Sequence, residues 1–200
     1  MDSKDITKPY IFCLASRARH FLEELGYTDK VFLNRIYKEK KLSAIYKNHL
    51  LFLIDIYLFF KSQLQKNSTL NFCTRQDLEG FDYLPKEIDA YIELSDGKNT
   101  DRFFLELFDE YRDKTGIIRY STRKYFDYFQ DGSWQANTDN SPLPSVLFVM
   151  TNERRRAFVS HYGKAKLKKT FEDISLFVTT QDMIRFAKKD QNIWKKVEAE

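Results

Sequence analysis

An α/β domain with a mixed central sheet flanked by helices is predicted by three features of this 200-residue chain. Residues 47–65 form a near-continuous apolar run without Gly or Pro, too long for a strand and suited to a helix covered on most sides. Residues 146–150, Val-Leu-Phe-Val-Met, form a short apolar run bounded by turn residues, as in a central strand buried on both faces. Between these two runs, strand-like and helix-like periodicities succeed one another. A hydrophobic content of 42% and an aromatic content of 16% supply a core for one compact domain or a domain with a small appendage.

Residues 8–14 read as a short strand. Ser16 is placed to cap a helix that runs to about Leu25 and stops at Gly26. Thr28 opens a second helix with Val31, Phe32, Ile36 and Tyr37 at helical spacing, and the charged run at 38–41 ends it. After the apolar helix, residues 71–74, 88–94 and 102–109 are strands, the last two joined by the turn chemistry of Asp96-Gly97. Residues 115–129 are a helix, 132–144 a loop rich in Asn, Asp, Ser and Pro, and 153–168 a basic helix. A strand at 175–178 and a terminal helix bearing Met183, Phe186, Ile193 and Trp194 complete the chain. The domains expected are 1–46, 47–182 and a C-terminal helix over 183–200.

The net charge of +4 is mild, but it is unevenly spread. Residues 71–110 hold four Lys/Arg against eleven Asp/Glu, net −7, and residues 111–170 hold twelve against five, net +7. An acidic strand region followed by a basic helical one suits a metal cleft beside a phosphate-binding surface. Cys13 and Cys73 are far apart and flanked by strand-like residues, which favours free thiols, and no zinc spacing occurs. The N-terminal residues lack the form of a secretory signal and no apolar run reaches the roughly 20 residues of a membrane span, so a cytoplasmic protein without a membrane partner is expected.

Chemistry concentrates in the hairpin. Asp89 and Glu106 stand in otherwise apolar strand sequence, and unpaired carboxylates are costly to bury, so such a pair shares a cation, a basic partner or a proton. Across a tight hairpin the two come within reach of one Mg²⁺ or Mn²⁺. Asp109 and Glu110 are candidate auxiliary ligands, and His49 with Asp55 a second candidate pair or a satisfied core carboxylate. His161 reads as a surface histidine or a base.

The order of helix, hairpin with Asp and Glu, helix and strand resembles the PD-(D/E)xK restriction-endonuclease-like fold. The words Lys8-Pro-Tyr-Ile-Phe-Cys-Leu, Asn48-His-Leu, Ile54-Asp-Ile, Ile88-Asp-Ala-Tyr, Phe103-Phe-Leu-Glu-Leu, Arg123-Lys-Tyr-Phe-Asp-Tyr, Val146-Leu-Phe-Val, Asn152-Glu-Arg-Arg and Leu176-Phe-Val-Thr-Thr are, in this order, similar to the replication-relaxation proteins of plasmids and other mobile elements. The resemblance covers most of residues 8–182. It implies a restriction-endonuclease-like core after a winged-helix remnant at 1–46, and DNA as partner in replication, mobilisation or defence of a mobile element. It implies phosphodiester hydrolysis with Mg²⁺ or Mn²⁺ on Asp89 and Glu106, or an inactive core serving protein assembly or homodimerisation. Phe108 occupies the position of the fold's usual lysine, and Lys124 on the following helix is the candidate substitute for orienting water. The winged helix is represented only by its last strand and following helix, without the recognition helix that would enter a groove.

The basic surface expected to grip nucleic acid comprises Arg119 and Arg123 with Arg154, Arg155, Arg156, Lys164, Lys166, Lys168 and Lys169, interleaved with Phe158 and Tyr162. Tyr120, Tyr125, Tyr128 and Phe129 are candidates for base stacking or for the core.

Overall fold

The computed structural model describes residues 14–26, 30–39, 41–169 and 174–198. The chain divides into two compact units, residues 1–48 and 49–200. The expected strand at 8–14, apart from Leu14, and the expected helix start at Thr28 lie outside the described residues, as does Cys13.

The first unit contains α1 (Ser16–Glu24) and α2 (Lys30–Glu39). Ser16 is the first helical residue rather than the cap, a position held by Ala15 with no side-chain cap bond. The Ser16 hydroxyl is instead used between helices, donating to the Tyr37 hydroxyl at 2.9 Å. Arg19 adds a 2.6 Å bond to Asn34 Oδ1 and lies over the Tyr37 ring.

The second unit is built on a six-stranded sheet in the order β1 (Thr69–Thr74), β2 (Ala90–Ser95), β3 (Thr100–Leu107), β4 (Ser145–Met150), β5 (Leu176–Thr180) and β6 (Lys195–Lys196). The pairs β1–β2, β2–β3 and β5–β6 are antiparallel, whereas β3–β4 and β4–β5 are parallel, so the sheet is mixed as expected. Asp96 makes the β2–β3 turn. Its Oδ1 accepts the Lys98 and Asn99 amides at 2.8 Å each, and Gly97 takes φ +86°, where L side chains are strained.

Alternation along β3 sorts its side chains between two cores. Phe104 and Phe108 face the layer of α4 (Thr115–Gln130) and α6 (Glu153–Leu167), where Phe148, Tyr125, Phe129 and Trp134 pack around them. Leu105 and Leu107 face α3 (Ala44–Ser62) and α7 (Gln181–Arg185), packing with Ile56, Phe59, Phe60 and Ile184.

Three expectations are corrected. Helix α3 is buried on one face only, since Leu51, Ile54 and Leu58 remain 40%, 51% and 52% exposed. The segment 132–144 contains a short helix, α5 (Ser133–Asn137), because Trp134 is buried and its Nε1 donates to the Ser141 and Pro142 carbonyls. The helix expected over 183–200 is only the five-residue α7. The chain then extends so that Ile193 and Trp194 reach the α3 core while Val197 reaches the opposite one, and β6 closes the edge of β5. Among the described residues no helix is long and apolar enough to cross a membrane.

Candidate functional site: a buried charge cluster

At the end of the sheet where β2 begins and β3 finishes, charged and polar side chains from the hairpin, the following loop and two helices meet. Asp89 lies one residue before β2, and its amide already bonds the Leu105 carbonyl at 3.0 Å. Its carboxylate turns over the end of β3, where Oδ2 accepts the Leu107 amide at 2.7 Å. Glu106, near the end of β3, is fully buried on the α4 side. The two carboxylates converge on Arg112, in the loop between β3 and α4. Arg112 Nη1 donates to both Asp89 oxygens at 3.2 and 2.9 Å, and Nη2 donates to Glu106 Oε1. Its guanidinium also lies 5.5 Å from the centre of the Phe108 ring.

The remaining partners come from the helices on either side. From α3, His49 places Nε2 at 3.2 Å from Asp89 Oδ1 and Nδ1 at 3.0 Å from Asp109 Oδ2. Asp109 Oδ1 accepts the amides of Tyr111 and Arg112, which shapes the loop that carries the arginine. From α4, Ser121 donates to Glu106 Oε1 at 2.6 Å and Lys124 Nζ stands 3.4 Å from Oε2.

Burial and charge oppose one another at each group. Burial pulls the His49 imidazole down, but bonds and charge from Asp89 and then Asp109 outweigh it, so its pKa is raised above 6.5. Burial pushes the Glu106 carboxyl up, against the pull of Lys124 and Arg112. Burial would lower Arg112, but Asp89 and Glu106 raise it further, which keeps the guanidinium charged. The Tyr125 hydroxyl is held well above its usual value, chiefly by burial and then by Glu106.

This donor set does not fit a divalent ion as it stands. The place between Asp89 and Glu106 holds the Arg112 guanidinium, both Asp89 oxygens accept hydrogen bonds, and Glu106 Oε1 accepts two. Among the described residues no group of three or more His, Cys, Asp or Glu is disposed to hold a metal. Arg112 carries no signal in the sequence beyond being a basic residue shortly after the hairpin. His49 pairs with Asp89 and Asp109 and not with Asp55, which is exposed and lies 3.9 Å from Arg185.

The basic surface divides sharply. Arg155 turns inward, with Nε 2.8 Å from Asp113 Oδ1 and further bonds to Thr115 Oγ1 and the Asp113 carbonyl. Arg156 pairs with Glu153 at 2.6 Å, and Arg123 stands 3.9 Å from Asp127. Arg154, Lys168, Lys169 and His161 are exposed. Arg119, on α4, lies over the rings of Phe158 and Tyr162, and Lys166 lies over Tyr162 as well. Tyr125, Tyr128 and Phe129 belong to the core, leaving Tyr120 exposed.

No family model matches the chain, and neither a curated protein nor a solved structure matches it.

Proposed function

We propose that the chain is a DNA-binding protein with a restriction-endonuclease-like core and a winged-helix remnant before it, acting for a mobile element in replication, mobilisation or defence. In this reading the acidic doublet is an internal structural clamp. The observation that carries it is the guanidinium of Arg112 between Asp89 and Glu106, supported by the ring of Phe108. A phenylalanine at the fold's lysine position removes one cation from the strand and offers an aromatic face to another cation arriving from the loop. The opposite charges are then satisfied within the protein, as buried carboxylates require.

DNA would dock on the α4–α6 face. Arg119 and Lys166 accompany a parallel pair of rings, Phe158 and Tyr162, with centroids 6.3 Å apart, and Arg154, Lys168 and Lys169 extend the positive field along the helix and just beyond it. Lysine and arginine on phosphates release counterions, so binding should weaken steeply with salt. The test is duplex binding by fluorescence anisotropy over a salt series, with Mn²⁺ and supercoiled plasmid in a parallel cleavage assay. Replacing Arg154, Lys168 and Lys169 by Glu should weaken binding and make the slope of log affinity against log salt shallower by about one for each phosphate no longer neutralised. Unchanged binding in that variant sinks the docking face. Plasmid cleavage that disappears in Glu106→Ala would replace the clamp with a hydrolytic centre. Lys124, poised against Glu106, is the residue to substitute next in that event.

A further inference from the structure

Beside α4, a cleft of about 560 Å³ opens between that helix and the loop at 82–86. That volume lies within the range of small-ligand sites. Its walls combine Tyr83, Tyr120 and Tyr128 with Lys86, Arg123 and Lys124. One buried polar atom there has no hydrogen-bond partner among the described residues, the hydroxyl of Tyr128, a residue only 8% exposed. Lys124 Nζ is turned to the core instead, 3.4 Å from Glu106 Oε2 and 4.9 Å from the centre of the Tyr125 ring. Burial, then Asp131 and Tyr83, raises the Tyr128 hydroxyl, which places its electrostatic neighbours on the cleft wall.

Three acids, Asp82, Asp127 and Asp131, also border the cleft. Asp131 Oδ1 accepts the Ser133 amide at 2.7 Å, and Asp127 stands 3.9 Å from Arg123. Asp82 is left exposed at the rim. A ligand with an aromatic ring, a hydrogen-bonding group and one phosphate matches the exposed Tyr120 ring, the unpartnered Tyr128 hydroxyl and the rim cations Lys86 and Arg123 better than a purely apolar or, beside three acids, a purely anionic molecule does.

We propose that this cleft receives a single unpaired nucleotide of a DNA strand, its base on the exposed ring of Tyr120 and its phosphate toward Lys86 and Arg123. The inference rests on the DNA-binding reading and gives it a substrate preference, for duplexes with a single-stranded end or gap over blunt duplexes. The experiment is fluorescence anisotropy with a blunt duplex, the same duplex carrying a short oligothymidylate overhang, and thymidine 5′-monophosphate as competitor. The overhang should improve affinity about tenfold, the order of one stacked base. The mononucleotide should abolish that gain, and Tyr120→Ala and Lys86→Ala, both at exposed positions, should remove it while leaving melting temperature and blunt-duplex binding unchanged. Equal affinity for the two duplexes, or a gain that survives both substitutions, overturns the cleft and leaves the docking face standing. Mononucleotide binding that disappears in Tyr120→Ala, without any duplex binding by the wild type, would do the reverse.

Discussion

The charge cluster at the sheet end and the basic face of α6 are both rich in charged side chains, yet they differ in every physical respect. In the first, Asp89, Glu106, Arg112 and His49 satisfy one another out of water. In the second, Arg154, Lys168 and Lys169 stand in solvent. A charge taken from water without a partner is expensive, whereas a solvated one is nearly neutral to stability. The first region is therefore committed to the fold, and the second is free for a partner. Arg155 is the informative exception, lying on the basic helix but half-buried and bound to Asp113.

Breaking the clamp should have the largest effect. Arg112→Ala leaves two buried carboxylates without their shared cation and should cost about 3–5 kcal/mol, visible as a lower urea midpoint or a protein that fails to fold. A stability loss below about 1 kcal/mol would show that water reaches the cluster and that the contrast between the regions is overstated. Within α6, Arg155→Ala should cost about 1–2 kcal/mol through removal of its bonds to Asp113 and Thr115. Arg154→Ala, one residue earlier, should stay within about 0.5 kcal/mol and act on DNA binding alone. Thermal melts and binding isotherms on the two variants separate the structural arginine from the one proposed to dock.

The smallest effect belongs to His49 and is read as a pH dependence. Its folded pKa is raised above 6.5, so the imidazolium's contribution is fully present below that unfolded value and fades as pH rises through the folded one. The melting-temperature gap between wild type and His49→Gln should therefore be wider near about pH 5.5 than near about pH 9, a window set by the raised pKa. A gap that is constant, or wider at high pH, would mean that His49 acts as a neutral hydrogen-bonding group.

Much of the second unit was legible in the residues. The apolar run at 146–150 is β4, Asp96-Gly97 is the β2–β3 turn, and Asp89 and Glu106 stand out because two acids interrupt apolar strands. Lys124, expected beside this pair, does stand at Glu106, but Arg112 and His49 were not legible as partners of Asp89, because they lie 23 and 40 residues away from it. No local spacing announces a contact made by loop closure between layers. Asp55, expected as a satisfied core carboxylate or as a partner of His49, is neither. Helical position puts Asp55 toward solvent on the very face where α3 was expected to be covered.

Periodicity and turn chemistry act within a few residues, so the residue order by itself determined the alternation of strands and helices, the hairpin and the presence of an acidic doublet. Tertiary packing decided what the doublet is bonded to, which arginine of α6 bonds to Asp113, and that residues 195–196 form an edge strand in place of a helix. Those outcomes depend on desolvation, and desolvation of a charge is set by whatever the rest of the chain brings alongside it.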